Sequence, residues 1–245
     1  MNALEVRGLR KTYPAFTLKD VSFDVPQGAV VGFIGRNGAG KSTTLKSILG
    51  MVHPDAGEVK VFGMDYAANE RAIRRELGVV LGGIDFYPKK KIRVITDVTR
   101  RFYDNWDENK YRHYLRLFAI DEEKRVDELS SGMKVKYMIA LALSHNAKLL
   151  ILDEPTSGLD PVSRDELAEL LRRIVADSTR SVLFSTHITS DLEKCATHIA
   201  FIKDGELQYT GSLEDFRAHY KDVGTTLEDI IVHVERRPLD EDAIL

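Results

Sequence analysis

Short continuous apolar runs alternate with longer amphipathic stretches over most of the chain. Residues 29–34 and 149–152 are apolar throughout or nearly so, which is typical of strands that are buried on both faces. Residues 41–49 and 163–176 have the pattern of helices. Further strands are expected at residues 58–62 and 181–185, and a further helix at 190–196. This alternation predicts an α/β fold with a mainly parallel sheet and helices on both of its faces.

Two other parts of the chain have a β pattern without intervening helices. In the first 26 residues, apolar positions recur in short stretches that are broken by Gly8, Pro14 and Pro26, so we expect an antiparallel β portion near the N-terminus. Residues 199–202 and 206–209 read as two more strands, which are joined by the hairpin turn signal at 203–205.

Between about residues 83 and 135 the composition is charged and aromatic, and no β-like run occurs. Tyr111, Tyr114, Leu115 and Phe118 lie at i, i+3, i+4 and i+7, which places them on one face of an amphipathic helix. We therefore expect a helical subdomain at about 83–135, inserted into the α/β fold.

The composition is that of an ordinary globular protein. The 245 residues suit one domain, which we expect to span 1–235, followed by an acidic tail at 236–245. The net charge of −3 argues against a protein whose main task is to grip a nucleic-acid backbone. The single cysteine, Cys195, excludes an intramolecular disulfide and a zinc site made of several thiolates. Because no signal peptide or membrane-spanning run is visible, we expect a cytoplasmic chain whose membrane role, if any, comes from a partner.

The strongest chemical signal is the segment GRNGAGKS at 35–42, which matches the phosphate-loop pattern G-x-x-x-x-G-K-[ST]. Its glycines allow backbone N–H groups to surround phosphate oxygens, and the following helix adds the positive end of its dipole. Lys41 is expected to reach the β- and γ-phosphates, and the Ser42 hydroxyl to bind Mg²⁺. The residues expected to contact the nucleotide here are Gly35, Arg36, Asn37, Gly38, Ala39, Gly40, Lys41, Ser42 and Thr43.

A second signal follows the apolar run at 149–152, where two carboxylates come directly after the predicted strand. Ligand chemistry in an open parallel sheet gathers at the carboxyl ends of its strands. Asp153 is therefore expected to hold Mg²⁺, directly or through water, and Glu154 to activate the attacking water as a general base. Together with the phosphate loop, this pair predicts a nucleoside triphosphatase.

Further motifs resemble those of the ABC ATPases, in the order that this family has them. The segment LSSGM at 129–133 resembles the family signature LSGGQ, SGLD at 157–160 resembles the D-loop, and STH at 185–187 resembles the segment that carries the switch histidine. Tyr13 stands where the family has an aromatic residue that stacks on adenine. The resemblance implies a P-loop ATPase fold, and it covers nearly the whole chain.

The resemblance also implies how the site works. His187 would contact the γ-phosphate and position the water. Ser130, Ser131 and Gly132 would bind the γ-phosphate that is held by an opposite subunit, with Asp160 in the neighbouring D-loop. Two ATP molecules would thus lie between two subunits, which the sequence leaves open as identical or different.

The sequence departs from the family pattern at two places. Gly82 stands where the family has a glutamine, and Asp85 is the only nearby substitute that we can suggest. Ser131 and Met133 replace a glycine and a glutamine of the signature. Since Lys41 and Glu154 are retained, we expect slow but real hydrolysis.

A looser resemblance concerns the subgroup. The segment FYDNWDE at 102–108 and the residues after His187 are similar to bacterial ABC ATPases of the YtrB type, which are associated with GntR-family regulators and with export. This implies a separate membrane-spanning partner that docks on the helical subdomain, and a position on the inner face of the membrane. The basic residues of that subdomain are as readily a solvated face as a contact surface; they are Lys89, Lys90, Lys91, Arg93, Arg100 and Arg101.

Three alternatives have less support. A soluble ABC ATPase that acts on DNA or ribosomes would usually add a coiled coil or a second ATPase domain. A small-molecule kinase would not need the signature, the D-loop or the switch histidine. A nucleotide-sensing regulatory subunit with vestigial hydrolysis is compatible with glycine at position 82.

Overall fold

The computed structural model describes residues 1–81 and 87–236. The expectations for Gly82 and Asp85, and most of the expected tail at 236–245, fall outside these residues. The strands are β1 (Asn2–Tyr13), β2 (Phe16–Pro26), β3 (Val30–Ile34), β4 (Ala56–Val61), β5 (Met64–Asp65), β6 (Leu77–Val80), β7 (Leu149–Leu152), β8 (Ser181–Thr186), β9 (His198–Lys203) and β10 (Glu206–Ser212). The helices are α1 (Lys41–Ile48), α2 (Tyr66–Glu76), α3 (Ile92–Thr99), α4 (Glu108–Leu117), α5 (Ser131–Ser144), α6 (Pro161–Val175), α7 (Thr189–Cys195), α8 (Leu213–His219) and α9 (Leu227–Glu235).

The central sheet has the strand order β10-β9-β3-β8-β7-β6, and its strands run parallel except for β10. Strands β3 and β7 are buried along their whole length, as their continuous apolar sequences predict. The turn between β9 and β10 has positive φ at Asp204 and Gly205, which confirms the predicted hairpin. The predicted α/β fold class is therefore confirmed.

The N-terminal strands form a second, antiparallel sheet with the order β2-β1-β4-β5. Gly8 does not break its strand, contrary to our expectation. The register of β1 against β2 shifts between Val6 and Leu9, and Gly8 has a φ of 59°. Since glycine adopts positive φ at little cost, the residue makes a β-bulge within one continuous strand.

The stretch after β6 contains the helices α3, α4 and α5 joined by loops, and α4 covers most of the predicted amphipathic helix. In α4, Tyr111 and Leu115 are buried, and they pack with Tyr137 of α5 in a separate apolar cluster. The Thr96 hydroxyl lies 2.8 Å from the hydroxyl of Tyr111 and 2.8 Å from that of Tyr137, so the centre of this cluster is also hydrogen-bonded. The helical region thus has its own small core.

Among the described residues, none of the helices combines the length and apolar character that a bilayer crossing requires.

Candidate functional site

The phosphate loop joins the buried strand β3 to α1, as the sequence predicts. Gly38 and Gly40 have φ values of 84° and 112°, in a region of backbone conformation that residues with a Cβ rarely adopt. A Cβ at Gly40 would lie 2.8 Å from Phe16 Cζ, so this glycine also allows close packing. No side chain caps the start of α1, and the free N–H groups of a helix N-terminus attract anions.

Lys41 is 5% exposed and is held by oxygen atoms on two sides. Its Nζ donates to the carbonyl oxygens of Gly35, at 2.7 Å, and Arg36, at 3.2 Å. The same nitrogen lies 3.0 Å from Glu154 Oε1. These contacts fix the ammonium group inside the phosphate loop.

Glu154 connects the phosphate loop to the end of β8. Its second carboxylate oxygen, Oε2, lies 2.8 Å from His187 Nδ1. Glu154 has a φ of 49°, which is unusual for a residue other than glycine. Lys41, Glu154 and His187 thus form a continuous polar chain, and the structure brings together the three side chains predicted to act in catalysis.

Asp153, the other predicted carboxylate, is 8% exposed and lies next to a residue that the sequence reasoning did not single out. The Ser185 hydroxyl donates to Asp153 Oδ1 at 2.6 Å and accepts from the backbone N–H of Glu154 at 2.8 Å. This arrangement follows from the pairing of β7 with β8, which places Leu152 opposite Phe184. A buried serine two residues before His187, on the strand beside the acidic one, is the signal that could have revealed it.

A cleft of about 570 Å³ opens over the phosphate loop, and Tyr13, which was expected to stack on adenine, is among the residues that line it. The Tyr13 ring is 39% exposed, and Lys11 Nζ lies 5.8 Å from its centroid. The cleft is lined by Tyr13, Pro14, Ala15, Phe16, Asn37, Gly38, Gly40, Lys41, Ser42, Thr43 and Glu154. An exposed aromatic ring and a lysine in one cleft suit a flat base and a phosphate chain.

The signature residues do not line this cleft. Ser130 caps α5, since its hydroxyl accepts from the backbone N–H of Met133 at 3.2 Å. A Cβ at Gly132 would lie 3.4 Å from Ser163 Oγ, which places the start of α5 against the start of α6. The Ser163 hydroxyl donates to Asp160, at 2.7 Å, and this bond is the main cause that lowers the pKa of Asp160. The signature residues at the start of α5 therefore lie beside residues 157–160, here called the Asp160 loop.

A second, larger cavity of about 850 Å³ lies between α2 and the helical region. Phe102 and Met51, which are 72% and 58% exposed, contribute to its lining. Four arginines but only two acidic residues line it, and they are Arg71, Arg74, Arg75, Arg101, Glu70 and Asp104. Its walls thus combine exposed apolar surface with an excess of positive charge.

The basic residues at 89–93 are mostly paired. Lys89 lies 3.0 Å from Asp127, while Lys91 and Arg93 share Glu123 at 2.8 and 3.2 Å. Exposed pairs of this kind form a solvated, charge-balanced face rather than a strongly positive patch.

Comparison with known proteins gives a consistent result. A family model described as ABC transporter matches residues 18–157, which is more than half of the chain. The chain is 34% identical over 189 residues to the bacitracin transport ATP-binding protein BcrA of Bacillus licheniformis, covering 76% of this chain and 62% of that protein. It is 29% identical over 218 residues to the ABC transporter ATP-binding protein YtrB of Bacillus subtilis, covering 89% of this chain and 74% of that protein.

Two more matches extend the comparison. The Nod factor export ATP-binding protein I of Rhizobium etli is 34% identical over 211 residues, covering 84% of this chain and 66% of that protein. The chain therefore spans less than two thirds of the length of some of these relatives. A solved ATP-binding subunit of an ABC transporter superposes with a TM-score of 0.84 at 30% identity, covering 96% of this chain and all of that one. With its phosphate loop, acidic strand end and signature all in place, the chain belongs to the ABC transporter family and carries that family's ATP-binding domain.

Proposed function

We propose that this chain binds and hydrolyses Mg-ATP, and that two such subunits power export through a membrane-spanning partner on a separate chain. The observation that carries this proposal is the chain of contacts from Lys41 through Glu154 to His187 beside the phosphate-loop cleft. It joins a phosphate-binding cation, a candidate general base and a candidate water-positioning group.

The contacts of Lys41 suggest how the site changes when ATP binds. The ammonium lies 3.0 Å from Glu154 Oε1, so a γ-phosphate would compete with this carboxylate for the same cation. Once displaced from Lys41, Glu154 is free to accept a proton from the attacking water. His187, 2.8 Å from the same carboxylate, orients the water and the γ-phosphate.

Ser42 and Asp153 would hold Mg²⁺, which supplies charge neutralisation on the phosphates. Asp153 suits this role because its carboxylate is anchored by Ser185 and is largely buried. No cluster of three or more potential metal ligands occurs among the described residues. Mg²⁺ usually takes one or two protein oxygens together with phosphate oxygens and water, so Ser42 and Asp153 would suffice as its protein ligands.

Ser130, Ser131 and Gly132 act on the ATP of a second subunit, with Asp160 beside them. Their place at the start of α5, away from the chain's own phosphate loop, supports this division of the site. Hydrolysis then requires a dimer, either of this chain or with a related subunit.

The arginine-rich cavity beside α2 receives the membrane-spanning partner. Its exposed Phe102 and Met51 offer apolar contact, and its excess of arginine favours a segment that carries acidic side chains. This contact would place the chain on the inner face of the membrane. Export, rather than import, is favoured by the similarity to the Nod factor export ATP-binding protein I.

ATP turnover and association would be measured together. The wild-type chain is expected to hydrolyse ATP, and Glu154→Gln to lower the rate by a factor of about 10² to 10⁴, as for loss of a general base. The same variant is expected to form an ATP-bound dimer in gel filtration. Glu166→Gln, at an exposed carboxylate paired with Lys136, is the matched control and should behave as wild type.

The transport part has its own test. The tagged chain is purified from gently solubilised host membranes, and a polytopic membrane protein is expected in stoichiometric amount. Phe102→Ala combined with Arg71→Glu should lose that partner but retain ATP turnover. Co-purification with ribosomes or DNA instead would refute transport and favour a soluble ABC ATPase.

A further inference from the structure

A buried ion pair joins the helix that follows the Asp160 loop to the helix that follows His187. Asp191 on α7 is 2% exposed, and its Oδ1 accepts from Arg164 Nε at 3.0 Å and from Arg164 Nη2 at 2.6 Å. The same guanidinium donates to Ser190 Oγ at 3.1 Å. Within the described residues, Asp191 Oδ2 is buried and has no other hydrogen-bond partner, so Arg164 is the main compensation for this charge.

The α7 end of this pair lies close to His187 in the sequence. Helix α7 begins at Thr189, two residues after His187, and Asp191 N donates to Ile188 O at 3.2 Å. The helix is also seated on β3, because a Cβ at Gly32 would lie only 1.8 Å from Leu192 Cδ2. The side chain of His187 is 40% exposed, and it is held by its contact with Glu154 and by the backbone that leads into α7.

The α6 end of the pair is tied to the Asp160 loop. Arg164 lies in the first turn of α6, and its backbone N–H donates to Asp160 O at 3.0 Å. The Asp160 side chain caps this helix by accepting from the backbone N–H of Ser163 at 3.1 Å. Ser163 in turn lies against Gly132 of the signature. Since Arg164 lies in the first turn after this loop, a movement of the signature or of the loop would also move Arg164.

We propose that Arg164 and Asp191 form a positioning pair that transmits the placement of the Asp160 loop to His187. When a second subunit engages the signature and this loop, the pair sets α7 so that His187 meets Glu154 and the attacking water. The inference rests on the proposed function, since it assumes hydrolysis at Glu154 and a second subunit at the signature. In this role, neither Arg164 nor Asp191 contacts the nucleotide; both act through the position of α7.

The same two helices provide a matched control for a merely structural role. Lys194 on α7 lies 3.0 Å from Asp165 on α6, but both side chains are exposed, at 42% and 69%. This second pair joins α6 to α7 without being buried beside Ser190. If any α6–α7 link served equally well, removing either pair would have the same consequence.

The test compares steady-state ATP hydrolysis by Arg164→Met, Asp191→Asn and Lys194→Met. Misplacing a catalytic group through its support lowers turnover by roughly ten- to a hundredfold. We expect such a fall in kcat for Arg164→Met and Asp191→Asn, while KM for ATP and the affinity for a fluorescent ATP analogue change by less than about twofold. Lys194→Met should retain the wild-type kcat. Arg164→Lys, which keeps the charge but not the fork of donors, should recover part of the lost rate.

Thermal melts show which variants are folded at the assay temperature. Asp191→Asn keeps the volume of the side chain and can still accept from Arg164, so it serves as the test if Arg164→Met does not fold. An unchanged kcat in a folded Arg164→Met or Asp191→Asn protein, or an equal loss in Lys194→Met, overturns the proposal. If the wild type itself shows no turnover that depends on Glu154, the proposed function fails, and this inference fails with it.

Discussion

The ammonium of Lys41 in the phosphate loop lies 3.0 Å from the carboxylate of Glu154, which comes just after β7. The lysine side chain is 5% exposed and the glutamate side chain 20% exposed, so water screens the pair only in part. The carboxylate of Glu154 thus compensates the charge of Lys41. In the proposed function, binding of ATP would exchange that carboxylate for the γ-phosphate.

This exchange predicts that Glu154→Gln strengthens ATP binding. The neutral amide competes less for Lys41 and no longer repels the γ-phosphate, so we expect the Kd for ATP to fall by about tenfold, equivalent to about 1.4 kcal/mol. Isothermal titration calorimetry on the variant and the wild type measures the change. Asp153→Asn is the informative comparison, because that carboxylate does not contact Lys41 and its loss should weaken binding in the presence of Mg²⁺. An unchanged Kd for Glu154→Gln would show that the contact does not oppose nucleotide.

A second prediction concerns Ser185, which supports Asp153 by a 2.6 Å bond and the Glu154 backbone by a 2.8 Å bond. Ser185→Ala leaves two buried polar groups without their partner, which costs on the order of 1–3 kcal/mol of unfolding free energy for each. We also expect kcat to fall by roughly tenfold and the Mg²⁺ concentration for half-maximal activity to rise, because Asp153 loses its fixed orientation.

The control for Ser185 is Ser144, another fully buried serine. Its hydroxyl donates to Ala140 O at 2.6 Å, within α5. Ser144→Ala should lower the melting temperature without changing the Mg²⁺ dependence of hydrolysis. A shared change in Mg²⁺ dependence would show that general destabilisation, rather than support of Asp153, explains the result for Ser185.

These contacts mark the limit of what the sequence alone predicts. The strands β3 and β7 could be predicted because a strand buried on both faces requires a continuous apolar run. The phosphate loop could be predicted because its chemistry is contained in eight consecutive residues. The contact between Lys41 and Glu154 joins positions more than a hundred residues apart, and it depends on which strands become neighbours in the sheet.

Some local structure was also missed for physical reasons. Gly8 lies within β1 because a bulge absorbs its positive φ, and single-residue bulges leave little trace in an apolar pattern. The helix α2 was not predicted; it follows directly on the two-residue strand β5, and Asn69 within it has non-helical dihedral angles. The arginine-rich cavity is formed by segments that are distant in the sequence, so no local pattern predicts it.

A third prediction concerns the two glycines of the phosphate loop with positive φ. Gly40→Ala combines a strained φ of 112° with a Cβ only 2.8 Å from Phe16 Cζ, whereas Gly38→Ala at φ 84° meets nothing within 4 Å. The left-handed conformation costs an L-residue roughly 1–2 kcal/mol. We expect both variants to lose about that much stability. Only Gly40→Ala should also displace Phe16 from the cleft and weaken binding of a fluorescent ATP analogue severalfold or more.

Gly63→Ala is the control for strain alone, since Gly63 has a φ of 75°, lies in open space and is not part of the cleft. It should lose stability to a similar extent as Gly38→Ala and bind the analogue as wild type does. If Gly38→Ala weakened binding as much as Gly40→Ala, the close approach to Phe16 would not be the cause.

A buried histidine in the wall of the arginine-rich cavity makes the fold sensitive to acid. His145 is 3% exposed, and its ring stacks on Tyr103 with the ring centroids 3.7 Å apart. Its Nδ1 is buried and has no hydrogen-bond partner in the described part of the chain. Burial lowers the pKa of His145 to about 4, so the folded protein keeps this ring neutral.

Because the pKa of His145 is lowered in the folded protein, the free energy of unfolding depends on pH. Between pH 6.5 and about 4 the unfolded chain binds a proton at His145 and the folded chain does not, so the free energy of unfolding falls as the pH falls through this range. Each pH unit between the two pKa values contributes about 1.4 kcal/mol, which gives a total of about 3 kcal/mol.

His145→Phe keeps an aromatic ring against Tyr103 and cannot titrate, so urea unfolding from pH 7 to pH 4 should show a smaller loss of stability than in the wild type. Tyr103→Phe preserves both the stack and the histidine, and it should follow the wild-type pH dependence. If His145→Phe lost as much stability as the wild type over this range, carboxylates elsewhere in the fold, and not His145, would dominate its sensitivity to acid.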